Sequence, residues 1–338
     1  WGDASAACDG KLGTGVVLMS GRVMLVGCGN IGRRHLQAMA RIDRPIDIVV
    51  IEPNVAEWAK AREAVAQVEG GDAHRLEFLA ALPAEPLAAD LAVLATGAEV
   101  RRALFDRLEA EHSVGAYIFE KVLFQTTADL RDVEERLAAT GKNAWVNCGR
   151  RGFPGYAALR DELAGAARVD MRVTGSGWGL CSNGVHFLDL YALLTDFEIV
   201  SGSGADLDPG SVASKRAGNV ELTGRMTFHA TGGSVELVCV SMDPAPLTVE
   251  ISTPQMRWVV DEARRTLTRI GADGEARTEP FATYFVSEMP FLYAEVLSEG
   301  TCRLTPYSLS ARQHQLFIDV VRRHLGLAID EDQRCPIT

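Results

Sequence analysis

Two stretches of this chain carry residue types and spacings suited to chemistry. The first is Lys121, preceded by Glu120 and placed directly after the apolar run Gly115–Phe119. The second is Trp178–Asp189, WGLCSNGVHFLD, in which Asn183, His186 and Asp189 recur at intervals of three. On a helix, consecutive members of that series share neighbouring turns of one face, although six residues carry Asp189 about 120° from Asn183. A histidine can exchange a proton near neutral pH. Asn183 could hydrogen-bond a hydroxyl or carbonyl, and Asp189 could orient the imidazole or lie in a structural pair. The alternative is plain: Ser182 or Asn183 caps a helix, His186 is a satisfied core histidine, and Lys121 is a solvated lysine after a strand. Arg150 and Arg151 form another candidate pair, because guanidinium forks match carboxylates and phosphates; the alternative there is a solvated turn.

A third stretch fixes where such groups would sit. Arg22–Val26 is a short apolar run that ends in Gly27-Cys28-Gly29-Asn30-Ile31-Gly32, followed by a helical pattern and a second apolar run closing on Glu52. Strand, glycine turn, helix, strand and acid make the context a G-x-G-x-x-G match needs. Gly27 permits the tight turn, Gly29 lets a pyrophosphate approach the backbone, and Gly32 lets helix and strand pack closely. The new helix aims unpaired N–H groups at the phosphates, and Glu52 stands where an acid accepts ribose hydroxyls. Glu52 without a basic neighbour favours NAD; Arg33 and Arg34 leave NADP open.

The elements that follow support that placement. Helices are expected over Val55–Val68, Glu99–Ala110 and Thr126–Ala139. Strands are expected at Leu76–Leu82, within Leu87–Ala95, at Gly115–Phe119 and at Ala144–Cys148. The alternation implies right-handed parallel crossovers in one doubly wound, Rossmann-type sheet over residues 21–148. Ligands of such sheets bind beyond the strands' carboxyl ends, which singles out Thr96-Gly97, Glu120-Lys121 and Asn147. There Lys121 would project over the nicotinamide end of a bound cofactor, where burial and a positive ring would lower its pKa while Glu120 opposes that. Residues 149–338 read as an α+β unit. Its helices are expected near Tyr156–Leu163, Val185–Leu194, Tyr284–Ser298 and Ser308–Leu325, around an open antiparallel meander between Glu198 and Ile270. The uncovered face of that sheet hints at a homo-oligomer. Residues 1–20 are read as an extension without function.

Composition narrows the classes. A formal net charge of −11 argues against nucleic-acid and anionic-membrane partners. No apolar run reaches the ~18–20 residues of a membrane helix. The seven cysteines are odd in number and scattered, which fits reduced thiols in a cytoplasmic protein better than a disulfide or zinc framework, and no metal site is expected.

Taken together, VGCGNIGRRHLQAM, the EKV at Glu120–Val122 and NGVHFLDL at Asn183–Leu190 resemble the Gfo/Idh/MocA family of NAD(P)-dependent oxidoreductases from Arg22 to Thr338. An N-x-x-H-x-x-D helix preceded by N-C-x-R-R, as at Asn147–Arg151, is similar to members found in surface-sugar biosynthesis. The resemblance implies a lysine at Lys121 that contacts substrate and nicotinamide, a histidine at His186 that shares the proton transfer, and Glu120 and Thr96 lining the cofactor. It also implies a sugar-like substrate: a polyol, sugar phosphate or nucleotide sugar, met by Asn183, Asp189, Arg150, Arg151 and Trp178. Three positions depart from the family pattern. Val122 replaces the usual proline, Gly97 replaces a proline or asparagine, and Ser182 stands four residues before His186 where many members carry an aspartate. Those departures keep two other readings open, a non-catalytic nucleotide-binding sensor or scaffold and a reductase of an imine or ring double bond.

Overall fold

The computed structural model describes residues 21–241 and 244–338; the expected N-terminal extension lies outside them. The first half builds six parallel strands: β1 (Arg22–Val26), β2 (Asp47–Ile51), β3 (Arg75–Leu79), β4 (Ala88–Leu94), β5 (Ser113–Phe119) and β6 (Asn143–Val146). Between them run α1 (Asn30–Met39), α2 (Ala56–Ala66), α3 (Ala98–Glu111) and α4 (Thr127–Thr140). The order β6-β5-β4-β1-β2-β3 puts the topological switch between β1 and β4. Gly27 and Thr96, which follow those two strands, are therefore neighbours at the crevice where ligands of open α/β sheets bind. Four consecutive buried residues end each of β1, β2, β4 and β5, as expected for strands covered on both faces.

The second half contains α5 (Pro154–Leu163), β7 (Val169–Ser176) and α6 (Leu180–Thr195). The edge strand β8 (Ile199–Leu207) and the short pair β9 (Val212–Ala213) and β10 (Val220–Glu221) follow. After them come β11 (Gly224–Ala230), β12 (Gly233–Val240), β13 (Thr248–Ser252), β14 (Met256–Asp261), β15 (Thr266–Gly271) and β16 (Ala276–Pro280). Its sheet runs β16-β15-β14-β13-β7-β12-β11-β8. The pairings are antiparallel except β7 with β12, which is parallel, so the sheet is a meander with β7 inserted at its centre. Met171 and Val173 of β7 point into the core under α6, while Arg172 points out. The open face is charged and laced with ion pairs, Arg172 and Arg225 to Glu236 and Arg257 to Glu250.

Two local expectations are corrected. Within the stretch expected as a continuous meander, the alternating segment Val220–Ala230 is interrupted: Gly224, at φ +95, divides it into β10 and β11. The helix expected over Tyr284–Ser298 is shortened to α7 (Phe291–Glu299), because Pro290 stands at its N-cap. The chain then returns to the first half. Met289, Leu292, Tyr293 and Val296 pack in the core beneath β1 and β4, β17 (Thr305–Pro306) adds an antiparallel edge to β6, and α8 (Tyr307–His324) packs against α4 and α6. Residues 289–306 thus return to the layer of the first half.

Candidate functional site

The glycine turn divides its labour as residue size requires. A Cβ on Gly27 would meet the Thr96 side chain at 2.8 Å, and one on Gly32 would meet the Gly27 carbonyl oxygen at 2.1 Å. Those two glycines pack the turn. Gly29 differs: its φ of −67 suits any residue, and a Cβ there would meet nothing within 4 Å. No side chain caps α1, so its first N–H groups stay open to a cleft of about 740 Å³ bordered by Gly29, Asn30, Ile31, Glu52, Thr96 and Gly97. The Thr96 hydroxyl is buried without a partner. Open donors, an uncrowded glycine and an unmatched hydroxyl fit a dinucleotide there. Cys28 does not contribute as expected. Its side chain is buried in the core with its thiol pushed up to about 12 by burial and then by Glu52, and its N–H donates to Glu52 at 2.7 Å. The other Glu52 oxygen accepts from Asn54 N–H at 2.9 Å. Arg33 pairs with Glu57 and donates to Asn30 at 2.6 Å, and Arg34 donates to Gln37 at 3.0 Å.

Beyond Ile31 and Thr96 lies a chamber of about 330 Å³ bordered by Lys121, Asn183 and His186. Lys121 Nζ donates to the Ser182 carbonyl at 2.7 Å and to Asn183 Oδ1 at 3.3 Å. Burial pushes the lysine below its ordinary value; Glu120 opposes that, and Arg216 adds to it. His186 is held well below the usual histidine range by burial first and by the positive Lys121 and Arg150 next. It is therefore neutral at neutral pH, and the expectation that it titrates there is corrected. Its Nδ1 is buried with no hydrogen-bond partner. The helix that carries it starts at Leu180, so neither Ser182 nor Asn183 is its N-cap. Asn183 instead donates to the Trp178 carbonyl at 2.7 Å, and Trp178 donates to the Val238 carbonyl at 2.9 Å.

A buried chain of polar groups stands behind Lys121. Glu120 accepts from Asn147 at 2.5 Å and contacts His35 Nε2 at 2.8 Å, while His35 Nδ1 meets the Tyr293 hydroxyl at 2.5 Å. Burial pushes the Glu120 carboxyl up, but His35, Lys121 and Asn147 together outweigh it and hold the group below the usual range. Val122, Leu123 and Phe124 are fully buried. The buried Arg101 of α3 donates to the carbonyls of Val122, of Leu123 (2.7 Å) and of Thr96. The segment is thus pinned without the usual proline.

Three substrate-binding expectations do not survive the geometry. Arg151 holds the fully buried Asp189 through both carboxylate oxygens at 2.8–3.0 Å. Neither side chain borders the chamber, and Asp189 does not orient His186. Arg150 does border it, but its fork is occupied by Glu262 at 2.7 and 2.8 Å and its plane lies 4.2 Å from the Phe187 ring centre. Paired forks of this kind are not free for a ligand anion.

Sequence reading missed Glu221, Arg216, Arg101 and His35. Glu221 of β10 accepts from the N–H groups of Cys181 (2.7 Å) and Ser182 (3.2 Å) and from the Ser182 hydroxyl. It caps α6, and it sets a carboxylate beside the serine where an aspartate was expected. The signal for His35 was present, three residues after Gly32 on a helix read as amphipathic. Glu221 and Arg216 come from a two-residue strand pair that carries no periodicity.

Comparison with known proteins follows the same division. The TrkA-N domain model matches residues 23–118, within the parallel sheet. No curated protein matches the chain by sequence. Solved structures match over nearly the whole length. UDP-N-acetylglucosamine 3-dehydrogenase GnnA from Acidithiobacillus ferrooxidans is 14% identical, with TM-score 0.65, over 92% of this chain and 98% of that one. An oxidoreductase from Agrobacterium radiobacter, solved with NAD+, L-tartaric acid and magnesium, is 15% identical, with TM-score 0.67, over 88% and 94%. The super-repressor mutant of Gal80p from Saccharomyces cerevisiae is 12% identical, with TM-score 0.65, over 90% and 96%. At these identities the likeness is one of fold. This chain has the fold of Gfo/Idh/MocA-type oxidoreductases.

Proposed function

We propose that this chain is an NAD-dependent oxidoreductase of the Gfo/Idh/MocA type acting on a sugar-like small molecule. The observation that carries the reading is that Lys121, half-buried and lowered in pKa, shares one chamber with His186, bordered by the same Ile31 and Thr96 that wall the glycine-turn cleft. The open N–H groups of α1 and the space at Gly29 would hold the pyrophosphate, and Glu52 a ribose. The engagement of Arg33 with Glu57 favours NAD over NADP. A bound nicotinamide supplies or accepts the hydride. Lys121 in its neutral form takes the proton of a substrate hydroxyl, or in its charged form returns one to a carbonyl. The neutral His186 hydrogen-bonds that same oxygen rather than titrating. Asn183 lines the substrate side, whereas Trp178, expected to meet substrate, borders the adjoining cavity and not this chamber. The same reading includes action on CH–OH groups, a cytoplasmic location, a domain division near residue 148 and self-association through the second sheet. No helix among the described residues is long and apolar enough to cross a membrane.

A second reading has one observation in its favour. The same fold occurs in a protein described as a repressor, which suits a nucleotide-binding sensor. Incubating purified protein with NAD+ and a panel of polyols, sugar phosphates and nucleotide sugars, and with NADH and the corresponding carbonyl compounds, separates the two. Turnover with any member supports the enzyme; tight NADH binding with no turnover across the panel supports the sensor.

A further inference from the structure

A third cavity, of about 420 Å³, opens on the far side of Lys121 and Asn183, walled by Trp178, Ser182, Glu221 and the turn between β9 and β10. One side chain on that turn, Arg216, borders this cavity, the Lys121–His186 chamber and the glycine-turn cleft alike. We propose that Arg216 is the recognition point for an oxyanion, a phosphate or carboxylate, carried by the substrate. This rests on the oxidoreductase reading and narrows its substrate class.

The surrounding arginines are all engaged. Arg33 is paired with Glu57, Arg150 with Glu262 and Arg151 with Asp189, while Arg101 is spent on backbone carbonyls. Arg216 makes one side-chain bond, from Nη1 to the Thr338 hydroxyl at 2.8 Å, and among the described residues no carboxylate lies within ion-pair distance of it. Most of its five donors remain free for a planar or tetrahedral oxyanion. The turn is anchored. Ser214 N–H donates to the Asn219 carbonyl at 3.0 Å, Val220 N–H to the Pro336 carbonyl at 2.8 Å, and Gln125 Nε2 to Asn219 Oδ1 at 2.9 Å. A fixed cation loses less freedom on binding than a floppy one. Glu221 shares the cavity and would repel an anion, but its oxygens are occupied by the backbone and hydroxyl donors at the start of α6. Arg216 is also among the charges that lower Lys121, so an oxyanion neutralising it would act on the reacting lysine as well.

Calorimetric titration of the full chain loaded with NADH tests this, using inorganic phosphate and D-gluconate as oxyanion probes and D-glucose as the neutral control. Binding of at least one oxyanion and not of glucose is expected, and which one binds separates phosphate from carboxylate. Arg216→Gln should weaken that binding about tenfold or more, the loss of one charge-assisted partner. Arg216→Lys should restore part of it, and the NADH affinity of both variants should stay within about twofold of wild type, a change of only ~0.4 kcal/mol. The proposal is overturned if the wild type binds neither oxyanion or if R216Q binds them equally well. It is equally overturned if R216Q loses NADH affinity while keeping oxyanion affinity, since Arg216 would then serve the cofactor's diphosphate. Failure of the wild type to bind NADH would instead count against the oxidoreductase reading, and the same titration on the cofactor-free chain would still decide the role of Arg216.

Discussion

Lys121 is set by two opposed effects: burial disfavours its ammonium, and the adjacent Glu120 carboxylate favours it. Removing the carboxylate shows which way the balance leans. Glu120→Gln should lower the lysine further, so the acid limb of kcat/KM for hydroxyl oxidation should move to lower pH; a stationary limb would assign it to another group. Burial, with the positive Lys121 and Arg150, holds His186 well below the usual histidine range. His186→Gln should therefore retain more turnover than His186→Ala and leave the limb in place, whereas loss of the limb would make His186 the titrating base. Both residues were legible in the sequence because each follows or interrupts an apolar run whose period fixes its placement. Arg150, Arg151 and Asp189 were equally visible, but sequence gives no sight of Glu262 or of which acid each arginine meets. Their pairing is a tertiary fact.

At the scale of elements, the glycine turn makes a divided prediction. Gly29→Ala adds a methyl that meets nothing in the protein. It should leave the thermal midpoint nearly unchanged while weakening NADH about tenfold or more, since the methyl occupies the space through which phosphate approaches. Gly32→Ala puts its methyl against the Gly27 carbonyl and should cost stability, about 1–3 kcal/mol by analogy with overpacked cores, measurable by denaturant unfolding. The opposite ranking would mean that Gly29 is there for the chain and not for a ligand. Strands, helices and their order in the first half were readable because hydrophobic period and turn residues agreed. The start of α6 was not, because its cap is Glu221 from another strand. The parallel pairing of β7 with β12 was hidden too, since neighbours in sequence pair antiparallel on either side of it.

Across the whole molecule, the two halves are tied through α7, whose Tyr293 hydroxyl meets His35 on α1 and thereby Glu120. They are tied again at α8, which buries His314 completely. Burial lowers His314 to about 4 from an ordinary 6.5. The unfolded chain therefore binds a proton below about pH 6.5 that the folded chain refuses until about pH 4, so stability falls as pH drops through that window, by on the order of 3 kcal/mol. His186 acts in the same direction. His314→Gln should flatten part of that acid loss in denaturant midpoints; an unchanged slope would exclude His314 as its source. On the proposed function, the glycine-turn cleft and the Lys121 chamber form one hydride-transfer site. Its most direct test is turnover of Lys121→Ala on whichever panel substrate the wild type accepts, measured beside NADH affinity. The expected result is a kcat lower by about a hundredfold or more with NADH binding nearly intact. Unchanged turnover in that variant would contradict it.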